Sequence, residues 1–205
     1  MADLIVQKYG GSSLADAQRI NSVARRIGRS KDEGNHVVVV VSAMGNTTDD
    51  LIQQANAVSK KPSEREMALL LSTGEIISCA LVTMALRSLD YEAIGLSGGQ
   101  AGIHTDSEYT RARILEVGPE RILKELREDR IVVVAGFQGV TESMEVTTLG
   151  RGASDTTAVA LAAGLNAKIC EIYTDVEGIY TTDPRIVPEA RLLKEIGYEE
   201  MMEMA

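Results

Sequence analysis

Cysteine and histidine are scarce in this sequence. The two cysteines, Cys79 and Cys170, lie far apart in apolar runs, and the two histidines, His36 and His104, stand apart from them and from each other. That spacing offers no zinc site, and two cysteines in 205 residues build no disulfide scaffold. Both read as buried free thiols in a reducing compartment. Positive charge is also short: 21 Lys and Arg against 30 Asp and Glu leave a net charge of −9. This argues against non-specific binding of nucleic acid or of an anionic membrane, and leaves room for a local phosphate site built from backbone amides. The amino terminus lacks a basic stretch followed by an apolar one, so no signal peptide is read. No apolar run reaches the roughly 18–20 residues of a membrane span. The expectation is a cytoplasmic protein with no membrane partner. The phosphate-loop pattern G-x-x-x-x-G-K-[ST] is absent too.

What is present is an ordinary globular balance. Apolar residues make up 44% of the chain and charged residues 25%, enough to close a core without staples. Continuous apolar β-rich runs at 4–9, 36–43, 91–97, 130–137 and 168–174 predict strands buried on both faces. Helical patterns fall between them, at 14–33, 48–59, from a Ser63/Glu66 capping box to about 89, at 119–128 and at 154–165. Residues 137–149 read as a hairpin turning near Glu142-Ser143. The order predicts an α/β fold: a three-layer αβα sandwich around a mainly parallel sheet, in one domain over 1–205. An amphipathic pattern opens at 197–205 and is cut short, which suggests that the domain is incomplete at its C-terminal end.

Five stretches can carry chemistry. Lys8-Tyr9-Gly10-Gly11-Ser12-Ser13 joins a strand to a helix, where glycine lets backbone N–H groups approach a phosphate; a tight turn looks the same. Ser42-Ala43-Met44-Gly45-Asn46-Thr47-Thr48-Asp49 follows the most apolar strand, at the sheet edge where α/β proteins bind ligands, although capping alone accounts for it. Gly74-Glu75 sits inside a long apolar helix, and a glutamate there either rims a site or points to solvent. Gly150-Arg151-Gly152-Ala153-Ser154-Asp155 offers a carboxylate-binding arginine between glycines, with Ser154 or Asp155 as helix cap. The run from Tyr173 to Arg185 leaves a strand through two turn signals and can hold a nucleoside or be a plain loop.

In this order KYGGSS, SAMGNTTD, an STGE helix, VAGFQGV, TTLGRGASD and YTDVEGIYTTDPR resemble the aspartate kinases of the amino acid kinase family, over essentially the whole chain. The resemblance implies transfer of the γ-phosphate of MgATP to the side-chain carboxylate of L-aspartate, the first step toward lysine, threonine and methionine. It implies catalytic roles for Lys8 and Asp155. It assigns Thr47, Glu75, Arg151 and Ser154 to aspartate, and Lys8, Gly10, Gly11, Ser12, Ser42, Thr174, Asp175, Tyr180 and Arg185 to ATP. Mg²⁺ is expected on the nucleotide phosphates, with no dedicated protein metal site. A homo-oligomer or pairing with a regulatory chain is open. Ala153 stands where the family usually has glycine, and a need there for positive φ or for close substrate approach would make its methyl costly. The ACT regulatory domains of the family are not in this sequence. A glutamate or acetylglutamate kinase, or a non-catalytic nucleotide-binding fragment, are the competing readings.

Overall fold

The valines at 37–41 are all fully buried, because they run through the middle of a sheet covered on both faces. The computed structural model describes residues 2–150, 152–176 and 178–204. Along the chain come β1 (Leu4–Tyr9), a one-turn 3-10 helix (Gly11–Leu14), α1 (Ala17–Asp32), β2 (His36–Val41), α2 (Thr47–Val58), α3 (Glu64–Arg87) and β3 (Ala93–Leu96). Then follow β4 (Ile103–Thr105), β5 (Ile114–Val117), α4 (Glu120–Arg127), β6 (Ile131–Ala135), β7 (Gln138–Val140), β8 (Val146–Thr148), α5 (Ala153–Gly164), β9 (Ile169–Tyr173) and α6 (Tyr198–Met204).

Five strands make a parallel sheet in the order β3-β6-β2-β1-β9. Strand alternation sorts its side chains between two helical layers. Val37, Val39, Val41, Ile131, Val133 and Ala135 pack with Ile20, Val23 and Ile27 of α1 and Val82 and Leu86 of α3. Val38, Val40, Val132 and Val134 pack on the other face with Ile122 and Leu126 of α4 and Leu161 of α5. The sandwich expected from the sequence is therefore present.

The expected strands and helices are found, with ends moved by a few residues. Leu14 belongs to the 3-10 turn, and α1 starts later because Asp16 caps it, accepting from the Arg19 amide at 2.8 Å. Ser63 accepts from the Glu66 amide, so the capping box opens α3 as expected. β7 and β8 form the expected antiparallel hairpin. They join a second, four-stranded sheet, β5-β4-β7-β8, half of which the sequence did not announce. β4 is three residues long and β5 leaves Leu115 and Glu116 exposed, so neither makes a continuous apolar run. Two further expectations are corrected. Cys79 is buried, but Cys170 is only partly so. And α3 is, by length and composition, apolar enough to cross a membrane, although half of its most apolar window is buried inside the fold.

The described chain divides into two compact units, one ending at Tyr173 and one starting at Thr174. The smaller unit has its own ties: Tyr180 bridges Leu192, and the Leu193 amide donates to the Ile179 carbonyl at 2.8 Å. α6 belongs to it.

Candidate active site

Strand parity decides where Lys8 points. It shares a face with Val6, the face packed by α5, whereas Gln7 and Tyr9 point toward α1. Its ammonium is buried against the first turn of α5 and pairs with Asp155 Oδ1 at 2.7 Å. Asp155 keeps nearly half of its side chain in solvent. A Cβ on Gly10 would stand 3.5 Å from Lys8 Nζ, so the ammonium lies directly over the loop that leaves β1.

On the opposite face β1 is locked to its neighbour. Gln7, fully buried, donates to Ser30 Oγ at 2.9 Å and to Glu171 Oε2 at 2.8 Å. The rings of Tyr9 and Tyr173 stack with centroids 4.8 Å apart, and the Arg26 guanidinium covers Tyr173. The Gly10 amide donates to the Tyr173 carbonyl, and the Ser42 amide to the Tyr9 carbonyl. The carboxyl ends of β9, β1 and β2 are thus fixed in register at the point where Lys8 emerges.

A cleft of about 270 Å³ opens over those strand ends. Lys8, Gly11, Ser42, Glu75, Ser154 and Asp155, six of the residues expected from the sequence, meet in its walls. Gly11 is required by close approach: a Cβ there would sit 2.5 Å from the Ala43 carbonyl oxygen, and its own carbonyl accepts from the Gly45 amide at 3.0 Å. Ser154 is buried, and α5 is tied to the end of β6 by Thr157, whose hydroxyl accepts from the Phe137 amide at 3.1 Å. The amino terminus of α5 opens on the cleft behind Gly152, which has φ +77°. Ala153 is the first residue of α5 and is not among the residues with positive φ, so its methyl packs beside Leu71 and Phe137 at no conformational cost. The need for positive φ is therefore absent at this position, while the residue itself lines the cleft, where close substrate approach would meet its methyl.

Glu75 does not point to solvent. It is 3% exposed, its Oε1 accepts from the Ala43 amide at 3.1 Å, and its Oε2 has no partner among the described residues. Burial pushes its carboxyl up to about 7, and the Ala43 hydrogen bond only partly offsets this. Gly74 makes the arrangement possible. A Cβ there would meet Ala43 Cβ at 2.9 Å and Thr47 Cγ2 at 3.6 Å, so only glycine lets α3 approach the 43–47 loop this closely. Gly74→Ala should therefore destabilise the fold by about 1–2 kcal/mol, although alanine is the better helix former. Urea unfolding checks this, and a stabilised variant would show that the loop yields freely.

Other expected residues lie elsewhere. Thr47 opens α2 and its hydroxyl donates to the Met44 carbonyl at 2.7 Å, and Thr48 and Asp49 line the cleft beside it. Ser12 lies in the 3-10 turn, where its carbonyl accepts from Arg19. Arg151 lies outside the described residues. Asp175, Tyr180 and Arg185 share a separate concavity of about 570 Å³ within the smaller unit, and Thr174 donates to Asp175 at 3.2 Å. There Arg185 grips Asp183 through Nε and Nη2, at 3.0 and 2.8 Å, and holds its carboxyl down at about 2. Phe137, the one phenylalanine in the sequence, lies in VAGFQGV but is given no site role by the sequence, although it lines the cleft with φ +66°. The sequence signal for it is its place in that motif, between Gly136 and Gly139 at a strand end.

Comparison with known proteins sharpens this picture. The amino acid kinase family matches residues 3–205. The aspartokinase of Mycolicibacterium smegmatis is 60% identical over 203 residues, covering 98% of this chain and 48% of that protein. The chain spans about half the length of the curated relatives it matches. Aspartate kinase from Synechocystis superposes with a TM-score of 0.85 at 51% identity, over 98% of this chain and 33% of that one. E. coli aspartokinase III, solved with aspartate and ADP, superposes with a TM-score of 0.86 at 29% identity, over 99% and 56%.

Proposed function

The chain belongs to the amino acid kinase family, and from that premise we propose that it carries the catalytic region of an aspartate kinase, transferring the γ-phosphate of MgATP to the side-chain carboxylate of L-aspartate. The observation that carries this reading is the Lys8–Asp155 pair at 2.7 Å, in the same cleft as a buried glutamate with an unpartnered oxygen. A cation for phosphoryl oxygens and an anion for an ammonium, side by side, fit a phosphate donor and an amino acid acceptor. The identity to curated aspartokinases and the aspartate and ADP bound by the E. coli relative support the two substrates.

The acceptor is ionised at neutral pH, with a pKa near 3.9, so no general base is required of the protein. The reaction needs positioning and charge neutralisation along an in-line transfer. Lys8 supplies a fixed positive charge, and Asp155 holds that ammonium in place. The amide edge near Gly11 and the amino terminus of α5 add aligned N–H dipoles. Glu75 receives the substrate ammonium on Oε2. Among the described residues no three acidic, histidine or cysteine side chains cluster to hold a metal. Mg²⁺ is assigned mainly to the nucleotide phosphates and would supply charge neutralisation to the transfer when bound. Asp175, Tyr180 and Arg185 are assigned to the nucleotide, Thr47 and Arg151 to aspartate. A cytoplasmic place at the head of lysine, threonine and methionine synthesis belongs to the same reading.

The test is aspartate-dependent ADP release with hydroxylamine trapping the acyl phosphate. Aspartyl hydroxamate should form while glutamate stays inert. Equal turnover of glutamate would overturn the substrate, and a folded chain that binds nucleotide without turnover would favour a non-catalytic region.

A further inference from the structure

Gln138 is 3% exposed, and a polar side chain at that depth is costly unless both ends of its amide are used. Both are. Nε2 donates to the Ser72 carbonyl in α3 at 2.8 Å, and Oε1 accepts from the Gly98 amide, in the loop after β3, at 3.4 Å. One partner can only accept and the other can only donate, so the amide has a single orientation. Loop and strand touch here: a Cβ on Gly98 would stand 2.2 Å from the Gln138 carbonyl oxygen. Ser72 lies one turn before Glu75 on the buried face of α3. A carbonyl inside a helix keeps a lone pair beside its ladder bond, and Gln138 takes that one.

Between Ala68 and Ser78, α3 receives two hydrogen bonds from elsewhere in the described chain: this one, and that of the Ala43 amide to Glu75 Oε1. The Ala43 bond holds the carboxylate, at the end of a rotatable side chain. Gln138 holds the helix backbone from which that side chain springs. The residue before Gln138 faces the other wall of the cleft. The Phe137 amide donates to Thr157 Oγ1 of α5 at 3.1 Å, and its carbonyl accepts from the Leu149 amide at 2.9 Å, just before Gly150. Residues 137–138 therefore join α3, which carries Glu75, to α5, which carries Ser154 and Asp155. Phe137 has φ +66°, a conformation that a bulky aromatic residue keeps only where its surroundings hold it there. Its two backbone bonds and the Gln138 amide are such surroundings.

We propose, resting on the aspartate kinase reading of this cleft, that Gln138 is a positioning residue. It fixes α3 at Ser72 and so sets the distance from the Glu75 carboxylate, which receives the substrate ammonium, to the phosphoryl end of the cleft at Lys8 and Asp155. Gln138 is not in the cleft walls and acts through Glu75. In-line transfer depends on that distance, because the reacting carboxylate is placed by the other end of the same small molecule.

Hydroxamate kinetics on Gln138→Met test this, since methionine keeps the length of the side chain and removes the donor. The KM for aspartate should rise about tenfold with the KM for ATP unchanged, the effect of a displacement well short of the ~1 Å that costs about 100-fold. In a Glu75→Gln background the same change should add no more than about twofold, because the group it positions is gone. Gln138→Glu keeps the shape and, as a neutral acid, can still donate to Ser72, so it should stay within about threefold of the parent. Gln138→Asn, an amide one methylene too short for Ser72, should behave like the methionine variant and takes its place if that one loses its far-UV circular dichroism. A parent-like aspartate KM in the methionine or asparagine variant, an equal rise in both KM values, or an undiminished effect in Glu75→Gln would overturn the proposal. A parent that turns over no aspartate would overturn the kinase reading instead. Calorimetric titration of aspartate into parent and variant then tests the tie by itself: the parent should bind about tenfold more tightly, and equal affinities or no binding to either would overturn it.

Discussion

Lys8→Ala should leave the chain folded and lower its turnover by about 10³-fold, the cost of removing one preorganised group that stabilises transition-state charge. The fold should survive because the partner left behind is half exposed. Asp155 keeps 47% of its side chain exposed and regains water when the ammonium goes, so the stability change should stay near 1 kcal/mol. β1 is held independently through Gln7, Tyr9 and the Gly10 amide. Turnover should suffer because Lys8 is the one ammonium in the cleft walls described, and phosphoryl transfer depends on charge neutralisation more than on proton transfer. Lys8→Arg should restore little: a guanidinium is planar and broader, and the space over Gly10 and beside Asp155 fits a point charge. Hydroxamate formation at saturating aspartate and ATP measures the effect. Activity within about tenfold of the unaltered chain would remove Lys8 from the mechanism.

Much of this site could be read from the sequence because parallel α/β folds put ligands at strand carboxyl ends, and the motifs mark those ends. The valine run at 37–41 announces a strand buried on both faces, and KYGGSS and SAMGNTTD follow two adjacent strands. What could not be read is parity and depth. Lys8 reaches Asp155 because it shares a face with Val6, which becomes visible only when the register is known. Gly74-Glu75 illustrates depth. A lone acid in an apolar helix reads as solvent-facing, yet the glycine before it lets the 43–47 loop come close enough for Ala43 to donate to the carboxylate. The second sheet was invisible for a different reason: its strands of three and four residues are defined by pairing partners, not by their own composition.

Glu75→Gln should give a protein that is more stable at high pH and poor at using aspartate. The glutamate titrates near 4.5 when unfolded and near 7 when buried in the folded chain. Between those values the folded state binds a proton that the unfolded state does not, so this group lowers stability as pH rises from about 4.5 to about 7, and the full penalty applies above that. A rise from 4.5 to about 7 corresponds to about 3 kcal/mol as an upper figure, part of which relaxation and water entry recover. Glutamine keeps the shape and still accepts from the Ala43 amide, but carries no charge to bury. Urea midpoints of variant and parent should therefore coincide near pH 4.5 and separate by about 1–3 kcal/mol in favour of the variant at pH 8. The same exchange removes the anion that faces the substrate ammonium. The KM for aspartate should rise by about 100-fold, matching the loss of a buried charge-assisted pair, with the KM for ATP unchanged. The two readouts together separate function from packing. A variant destabilised at pH 8 would mean that the ionised Glu75 carboxylate is stabilised by its surroundings and not penalised, and equal losses in both KM values would mean that it shapes the cleft without meeting the amino group.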